Sequence, residues 1–240
     1  MPQWGRNVPL RSLLAGYFPA ETAILVENAG KLTARPVSKE PALEDKRVAT
    51  LFTTWGISSC LIDRGEIETG HSALIGEIGH MVIRPEDPER CGCGSRGCLE
   101  RLISHRRLRD SASRLHEAGV PTRMNLAELR PLQLFRASAS GDELARHVVS
   151  VMADVMATGL RNLSLVFDPD VVVFQGDYAH ADSYFDRCLR DALADFRYYP
   201  ERAPFEIRYD RRPLTELDAE GGYLALAEVC FSKSELIDGE

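Results

Sequence analysis

Three cysteines and one histidine lie close together in one short segment of this 240-residue chain. Their spacing, His-x10-Cys-x-Cys-x4-Cys, supplies a complete set of ligands for a tetrahedral zinc ion. Four protein ligands leave no position for a catalytic water, so such a site holds structure rather than performing hydrolysis. Glycines at 92, 94 and 97 give the backbone the freedom to fold tightly around an ion. The predicted ligands of this structural zinc are His80, Cys91, Cys93 and Cys98.

Other uses of these cysteines fit the sequence less well. Disulfide pairing within the cluster would leave one cysteine over, and six cysteines in 240 residues are too few for a disulfide scaffold. The first twenty residues contain Arg6 and Arg11 and no uninterrupted apolar stretch of the kind found in a signal peptide. We therefore expect a reduced, cytoplasmic protein. The remaining cysteines are predicted to be buried small hydrophobes: Cys60, Cys188 and Cys230.

The charge balance argues against nucleic acid as a general partner. The chain has 29 basic and 36 acidic side chains, for a net charge of −7. A basic run does occur between Arg101 and Arg114, and on a helix it is most simply a solvated face. The apolar stretches are interrupted by charge or proline before they reach membrane-spanning length. We expect no direct contact with nucleic acid and none with a membrane.

Apolar runs alternate with amphipathic stretches along the chain, which indicates an α/β fold. In the longest amphipathic stretch, apolar residues recur at three- and four-residue steps. Trp55 and Gly56 separate two of the apolar runs and predict a turn between paired strands. The predicted strands are 23–26, 48–53, 59–63, 79–84, 171–174 and 205–209. The predicted helices are 99–114, 126–137, 141–163, 182–196 and 219–231.

The segment Gly-Glu-Ile-Gly-His (76–80), followed by Cys-Gly-Cys-Gly-Ser-Arg-Gly-Cys-Leu-Glu (91–100), resembles the signature of the ROK family of repressors, open reading frames and sugar kinases. Val26-Glu27-Asn28 and the Asp168-Pro169 dipeptide before an apolar strand are further similarities. The resemblance implies an actin-like (ribonuclease H-like) α/β architecture with a sugar held between two lobes. It also implies a hexose or N-acetylhexosamine ligand and assembly into homo-oligomers.

The resemblance assigns sugar-hydroxyl contacts to Asn28, Glu77, His80 and Glu100. Carboxylates and an amide can bond several hydroxyl groups at once, which gives stereochemical selectivity. An imidazole with one nitrogen on zinc has its other nitrogen held in a fixed direction, where it can meet a sugar oxygen. Without the motif, Glu77 and Glu100 are more simply surface or capping carboxylates, since glutamate is mostly exposed.

The departures from the family pattern all concern phosphoryl transfer. ROK sugar kinases carry a general-base aspartate directly after the asparagine, and this chain has Ala29 there. General-base catalysis contributes about 10²–10⁴-fold, and alanine cannot accept a proton. Of the family's glycine-rich phosphate turn, only Gly56 remains within 54–60, and Trp55 adds bulk. The family's opening Asp-x-Gly-x-Thr segment has no counterpart.

These departures predict a domain organisation in which most of the first lobe is missing. We expect residues 1–45 to be a remnant of the N-terminal lobe and residues 46–240 to form the C-terminal ROK lobe. The zinc-clamped loop would span 80–98, and the final helix, 219–231, would return toward the first lobe. Unpaired edges of the 23–26 strand and the uncovered face of that final helix would favour self-association.

Three functions remain open at this point. The one that the sequence favours is a non-catalytic, zinc-containing, sugar-sensing domain of the ROK repressor type, without a DNA-binding helix-turn-helix. The second is an ATP-dependent hexose or N-acetylhexosamine kinase, which would need its base supplied from elsewhere. The third is a degenerate scaffold that binds no sugar and acts only through oligomerisation.

Overall fold

The computed structural model describes residues 8–71, 74–195 and 205–232. Within these ranges, a mixed β-sheet forms the centre, with strands in the order β3-β2-β1-β4-β5. β1 pairs antiparallel with β2, which pairs antiparallel with β3, whereas β1, β4 and β5 run parallel. The strands are β1 Arg47–Thr53, β2 Ile57–Asp63, β3 Glu66–Ile67, β4 Val171–Gly176 and β5 Glu206–Tyr209.

Helices cover both faces of the sheet. α6 lies in the larger apolar core on one face, together with residues of α3, α4, α5 and α7. α2 packs on the opposite face, and α8 packs against α2. The helices are α1 Leu10–Ala15, α2 Ala29–Ser38, α3 Leu99–Leu102, α4 His105–Glu117, α5 Pro131–Ala139, α6 Glu143–Phe167, α7 Ser183–Ala194 and α8 Leu214–Ser232.

Side chains alternate across the two central strands and supply both cores. In β1, Leu51 enters the core on the α6 face, whereas Val48 enters the core on the α2 face. In β4, Phe174 enters the core on the α6 face, and Val173 enters the core on the α2 face. Strands covered on both faces are apolar in nearly every position, which explains why β4 is a continuous apolar run in the sequence.

α6 is the longest helix described and begins at a well-formed cap. The Asp142 carboxylate accepts a hydrogen bond from the Ala145 N–H at 2.9 Å. Side chains in an N-cap position satisfy donors that the first helical turn leaves free. Further along, Gly159 allows α3 to approach, because a Cβ there would lie 2.8 Å from a Leu99 methyl carbon. The apolar face of α6 therefore packs directly against Leu99, the residue that follows Cys98.

Most of the predicted elements are confirmed, with shifted boundaries. The predicted strand pair and its turn are present as β1 and β2, and the two later strands are present as β4 and β5. The helices predicted at 141–163 and 182–196 correspond to α6 and α7, and residue 196 lies outside the described residues. The predicted 99–114 helix divides into α3 and α4, because Ser104 adopts an extended backbone and caps α4. Pro131 starts α5 later than predicted, after a 3₁₀ turn. α8 begins at Leu214, five residues before the predicted start at 219.

Two predicted strands are wrong. Residues 23–26 form no strand, and Leu25 and Val26 are exposed. The segment buries too little apolar surface to be held against the sheet, and it pairs with no strand among the described residues. Residues 79–84 are also irregular, since a 3₁₀ turn occupies Ile78–His80 and a single bridge pairs Val82 with Cys98. Self-association through a strand at 23–26 therefore loses its basis.

The predicted division into a short remnant and a C-terminal lobe stays a prediction. α2, which lies within residues 1–45, packs on β1 and β2 and shares their apolar core.

A membrane-crossing helix is not found in the described ranges, where no helix is both long and apolar enough.

Candidate metal centre and ligand site

The structure brings the four predicted metal ligands together. The ligand atoms of His80, Cys91, Cys93 and Cys98 all lie within 4.8 Å of one another. Cys91 Sγ lies 3.5 Å from His80 Nδ1, and Cys93 Sγ lies 3.6 Å from Cys98 Sγ. Tetrahedral bonds to zinc place two sulfurs about 3.8 Å apart and a sulfur and a nitrogen about 3.6 Å apart. The donor set and its spacing therefore fit a zinc ion.

Backbone hydrogen bonds, rather than regular strands, shape the loop around this cluster. The Gly97 carbonyl accepts from the Ile83 N–H at 2.7 Å, and the Leu99 N–H donates to the Met81 carbonyl at 2.9 Å. Gly97 has φ +65°, and a Cβ at this position would overlap the Arg84 carbonyl. Only glycine tolerates both conditions, which explains its place one residue before Cys98.

The cluster faces the protein on one side and solvent on the other. Cys91 and Cys98 are buried, whereas Cys93 is exposed. Burial raises the pKa of the Cys98 thiol to about 12, and the neighbouring Cys93 and Cys91 add to the shift. The backbone N–H of Ser95 lowers the pKa of Cys93 to about 7. A divalent cation would favour the thiolate form of each ligand and release protons on binding.

All six cysteines lie in the described ranges and carry free thiols. Cys60 is buried as predicted, and burial raises the pKa of its thiol to about 12. The prediction is wrong for Cys230, which is exposed, and Cys188 is only half-buried. Cys188 lies on α7 and Cys230 on α8, and neither belongs to the metal cluster.

Ion pairs fasten the loop to the α3–α4 region. The Asp87 carboxylate is buried and accepts from the Arg107 guanidinium at 2.6 Å. Arg101 pairs with Glu89 at 2.6 Å. Arg106 pairs with Asp110 across one helical turn. Three arginines of the basic run, Arg101, Arg106 and Arg107, thus form ion pairs with carboxylates. The expectation that this chain does not contact nucleic acid stays a prediction.

Three of the four predicted sugar contacts gather beside the start of β2. The Glu100 carboxylate accepts from the Ile57 N–H at 3.0 Å. Gly79 packs directly on the Ile57 carbonyl and places His80 next to it. Glu77 Oε2 lies 4.0 Å from His80 Nε2, the ring nitrogen that points away from the cysteines. A carboxylate, an imidazole nitrogen and a second carboxylate therefore lie along one edge of the sheet.

Asn28 reaches the same strand from the other side. Its side chain caps α2 by accepting from the Gly30 N–H at 2.8 Å. Gly30 lies against Ser58, the residue that follows Ile57 in β2. No described contact joins Asn28 directly to Glu77, His80 or Glu100. Glu77 and His80 are thus neighbours, Glu100 lies beside them at the start of β2, and Asn28 meets the same strand without a described contact to the other three.

A narrow crevice next to Glu100 contains residues to which the sequence assigned no binding role. It lies at the carboxyl ends of the parallel strands β1 and β4, where ligands of open α/β sheets commonly bind. Trp55 is 78% exposed, and its ring centroid lies 5.1 Å from that of His105. His105 Nε2 lies 3.1 Å from the Asp177 carboxylate. The sequence showed Trp55 only as bulk in a phosphate turn, and no spacing linked it to His105 or Asp177.

A sequence model of the ROK family matches residues 1–212. The chain belongs to the ROK family. Both branches of ROK proteins appear among its relatives. It is 28% identical over 193 residues to the xylose repressor of Caldicellulosiruptor bescii, a match that covers 78% of this chain and 48% of that protein. It is also 28% identical over 159 residues to the glucokinase of Thermotoga maritima, covering 62% of this chain and 48% of that enzyme. The chain thus spans about half the length of these relatives.

Solved ROK structures share the fold. The ROK hexokinase of Thermus thermophilus superposes with a TM-score of 0.70 at 27% identity, over 92% of this chain and 70% of that one. A ROK glucokinase from Streptomyces griseus, crystallised with glucose and AMPPNP, gives a TM-score of 0.75 at 20% identity, over 93% and 72% of the two chains. The mixed sheet with helices on both faces is therefore the actin-like fold of ROK sugar kinases.

Proposed function

We propose that this chain is a zinc-containing ROK domain that binds a sugar and does not phosphorylate it, as in the repressor branch of the family. The observation that carries the proposal is Ala29, which occupies the first position of α2 directly after Asn28. The nearest carboxylate in the sequence, Glu27, accepts from the Asn28 N–H at 2.9 Å and pairs with Arg35 at 3.4 Å. Glu27 is thus engaged by a backbone N–H and by a guanidinium group, and in the proposal it does not act as the base for a sugar hydroxyl.

The proposed sugar contacts are Glu77, His80 and Glu100, with Asn28 completing them from α2. In the proposal, zinc holds His80 through Nδ1, so Nε2 can accept from or donate to a hydroxyl group. The chemistry that zinc supplies there is structural, since four protein ligands fill its coordination. The Glu100 carboxylate is already oriented by the Ile57 N–H and retains oxygen lone pairs for a hydroxyl group.

The names of the relatives suggest which sugars to test. They include a xylose repressor, a glucokinase, an N-acetylglucosamine repressor and an N-acetylmannosamine kinase. Calorimetric titration with these four sugars should give binding of at least one, in the millimolar range or about −4 kcal/mol. Glu77→Ala should weaken that binding by about tenfold or more, because a carboxylate acceptor contributes roughly 1.5–3 kcal/mol. Glu86→Ala is the matched control, since Glu86 is an exposed carboxylate in the same loop.

The same four sugars, used in these titrations and in an ATP-dependent turnover assay, test the two other functions. A sugar kinase is the second candidate, because a glucokinase and a hexokinase are among the similar proteins. ATP-dependent turnover of any of the four sugars, lost in Glu77→Ala, would establish that candidate and overturn the proposal. Binding of none of the sugars, or binding unchanged by Glu77→Ala, His80→Ala and Glu100→Ala, would leave the scaffold function.

We also propose that the chain forms homo-oligomers, and α8 supplies the support. α8 packs one side on α2, yet Tyr223, Leu226 and Phe231 remain exposed. Contiguous exposed apolar side chains favour association. Light scattering should show a species larger than the monomer, reduced by Phe231→Ser. A monomer at high protein concentration would contradict this part of the proposal.

A further inference from the structure

A second cavity lies among α3, α4 and α6. It has a volume of about 330 Å³ and is enclosed by α3, α4, α6 and the loop residue Arg84. This volume is within the range of small-molecule sites, roughly 300–1,000 Å³. Ile103 lines both this cavity and the crevice that contains Glu100, so the two adjoin, but Glu100 itself does not line the cavity.

The floor of this cavity is apolar and well buried. Leu102, Leu108, Val148, Met152 and Val155 line it, and each is at most 6% exposed. These side chains belong to three different helices, so the cavity is a gap in the packing between elements rather than a groove along one of them. A site with such a floor favours the apolar body of a ligand.

The rim of the cavity carries positive charge and no carboxylate. Its ionisable lining residues are Arg84, Arg107, Arg114 and His147. Arg107 is neutralised by Asp87 at 2.6 Å. For Arg84 and Arg114, no ion pair forms with any residue in the described ranges, and Arg114 donates a hydrogen bond to the Ser111 hydroxyl at 3.2 Å. Two arginines without a carboxylate partner in the described ranges therefore line an apolar cavity in a chain whose net charge is −7.

We propose that this cavity binds a small amphiphilic anion, such as a medium-chain carboxylate. The apolar body would fill the space above Leu108 and Met152, and the carboxylate would meet Arg84 and Arg114. Guanidinium groups bind carboxylates through paired hydrogen bonds, which adds orientation to the charge attraction. An uncharged amphiphile would gain only the apolar contacts, and a cationic one would be repelled. The negative charge of the ligand therefore distinguishes the proposed site from one that binds any apolar molecule of the same size.

The test is calorimetric titration of the full chain, loaded with zinc, with octanoate, octanol and octylamine. Octanoate should bind at one site per chain and about tenfold more tightly than octanol, while octylamine should show no binding. Arg84→Gln and Arg114→Gln should each weaken octanoate binding roughly three- to tenfold and leave octanol unchanged. Arg109→Gln is the matched control, because Arg109 lies on the same helix and does not line the cavity.

A second variant places a carboxylate at the mouth of the cavity. Val151 lines the cavity and is 41% exposed, so Val151→Glu should fold and should abolish octanoate binding through repulsion. Zinc content and thermal unfolding verify that each variant is intact. Equal affinities for octanoate and octanol, or equal losses in Arg84→Gln, Arg114→Gln and Arg109→Gln, would overturn the proposal. Self-association that Val151→Glu abolishes, without octanoate binding, would assign the cavity to a second copy of the chain and overturn it as well.

Discussion

The loop between His80 and Cys98 and the helix α6 are stabilised in opposite ways, although Leu99 and Gly159 bring them into contact. The loop has almost no regular structure, and it contains four side chains that could hold a metal ion, a few backbone hydrogen bonds and the buried Asp87–Arg107 ion pair. α6 buries a long apolar face against the sheet and its neighbouring helices.

The loop and α6 differ in the interactions that can stabilise them. Burial of apolar side chains stabilises α6 in proportion to the area removed from water. The loop has less apolar surface to bury, so we expect a bound metal ion to supply most of its stability, as in small zinc domains. Removing the metal should therefore affect the loop first, and truncating core side chains should affect the whole fold.

The largest effect is expected from Cys98→Ser. Structural zinc contributes about 10–16 kcal/mol of apparent binding free energy in small peptides, so losing a buried ligand should remove stoichiometric metal. Hydrogen exchange should then accelerate at the amides of Ile83 and Leu99, while β4 stays protected. Elemental analysis and hydrogen-exchange mass spectrometry provide the measurements. Cys230→Ser, at an exposed cysteine outside the cluster, is the control, and unchanged protection at Ile83 in Cys98→Ser would contradict the prediction.

The converse experiment is Leu160→Ala in α6. Leu160 is fully buried, and truncating a buried leucine costs about 2–5 kcal/mol of unfolding free energy. Urea denaturation should show this loss, while the zinc content stays near one ion per chain. Leu165→Ala, at an exposed position of the same helix, should change the unfolding free energy little. Loss of zinc in Leu160→Ala would show that the two regions are not stabilised independently.

A smaller effect should follow from pH. Zinc binds the thiolate, and burial raises the pKa of Cys98 to about 12, so metal binding at neutral pH must displace a proton from this thiol. Zinc affinity should therefore rise with pH, by about 1.4 kcal/mol per pH unit for each proton released. Cys93, with a pKa of about 7, adds to this slope mainly below that pH. Competition with a chromophoric chelator measures the affinity, and an affinity independent of pH would exclude the mechanism.

The smallest effect is expected at the start of α6. Asp142→Ala removes the cap on the Ala145 N–H and the contact with the Thr122 hydroxyl at 2.9 Å. Loss of an N-cap costs about 0.5–2 kcal/mol, which thermal unfolding can resolve. Asp154→Ala, at an exposed position in the middle of the same helix, provides the control. Exchange at the loop amides should stay unchanged, and faster exchange there would link the cap to the metal site.

The sequence predicted those features that depend on neighbouring residues. The four predicted metal ligands lie within nineteen positions of one another, from His80 to Cys98, and the period of α6 is local as well. The placement of Glu100 on the Ile57 N–H was not predictable from spacing, because it depends on how α3 docks on β2. The strand predicted at 23–26 failed for a related reason, since strands are stabilised by packing against neighbouring side chains, and Leu25 and Val26 are exposed.

Trp55 gives the molecule an optical reporter. The chain has two tryptophans, and Trp4 lies outside the described residues. Trp55 lies in the crevice that also contains Glu100, with His105 beside its ring and the Arg130 guanidinium carbon 5.8 Å from its centroid. In a Trp4→Phe variant, the emission would come from this one indole, and its wavelength and intensity would follow changes in hydration and in nearby charge. Entry of an unlabelled molecule beside Glu100 could then be followed by fluorescence in real time.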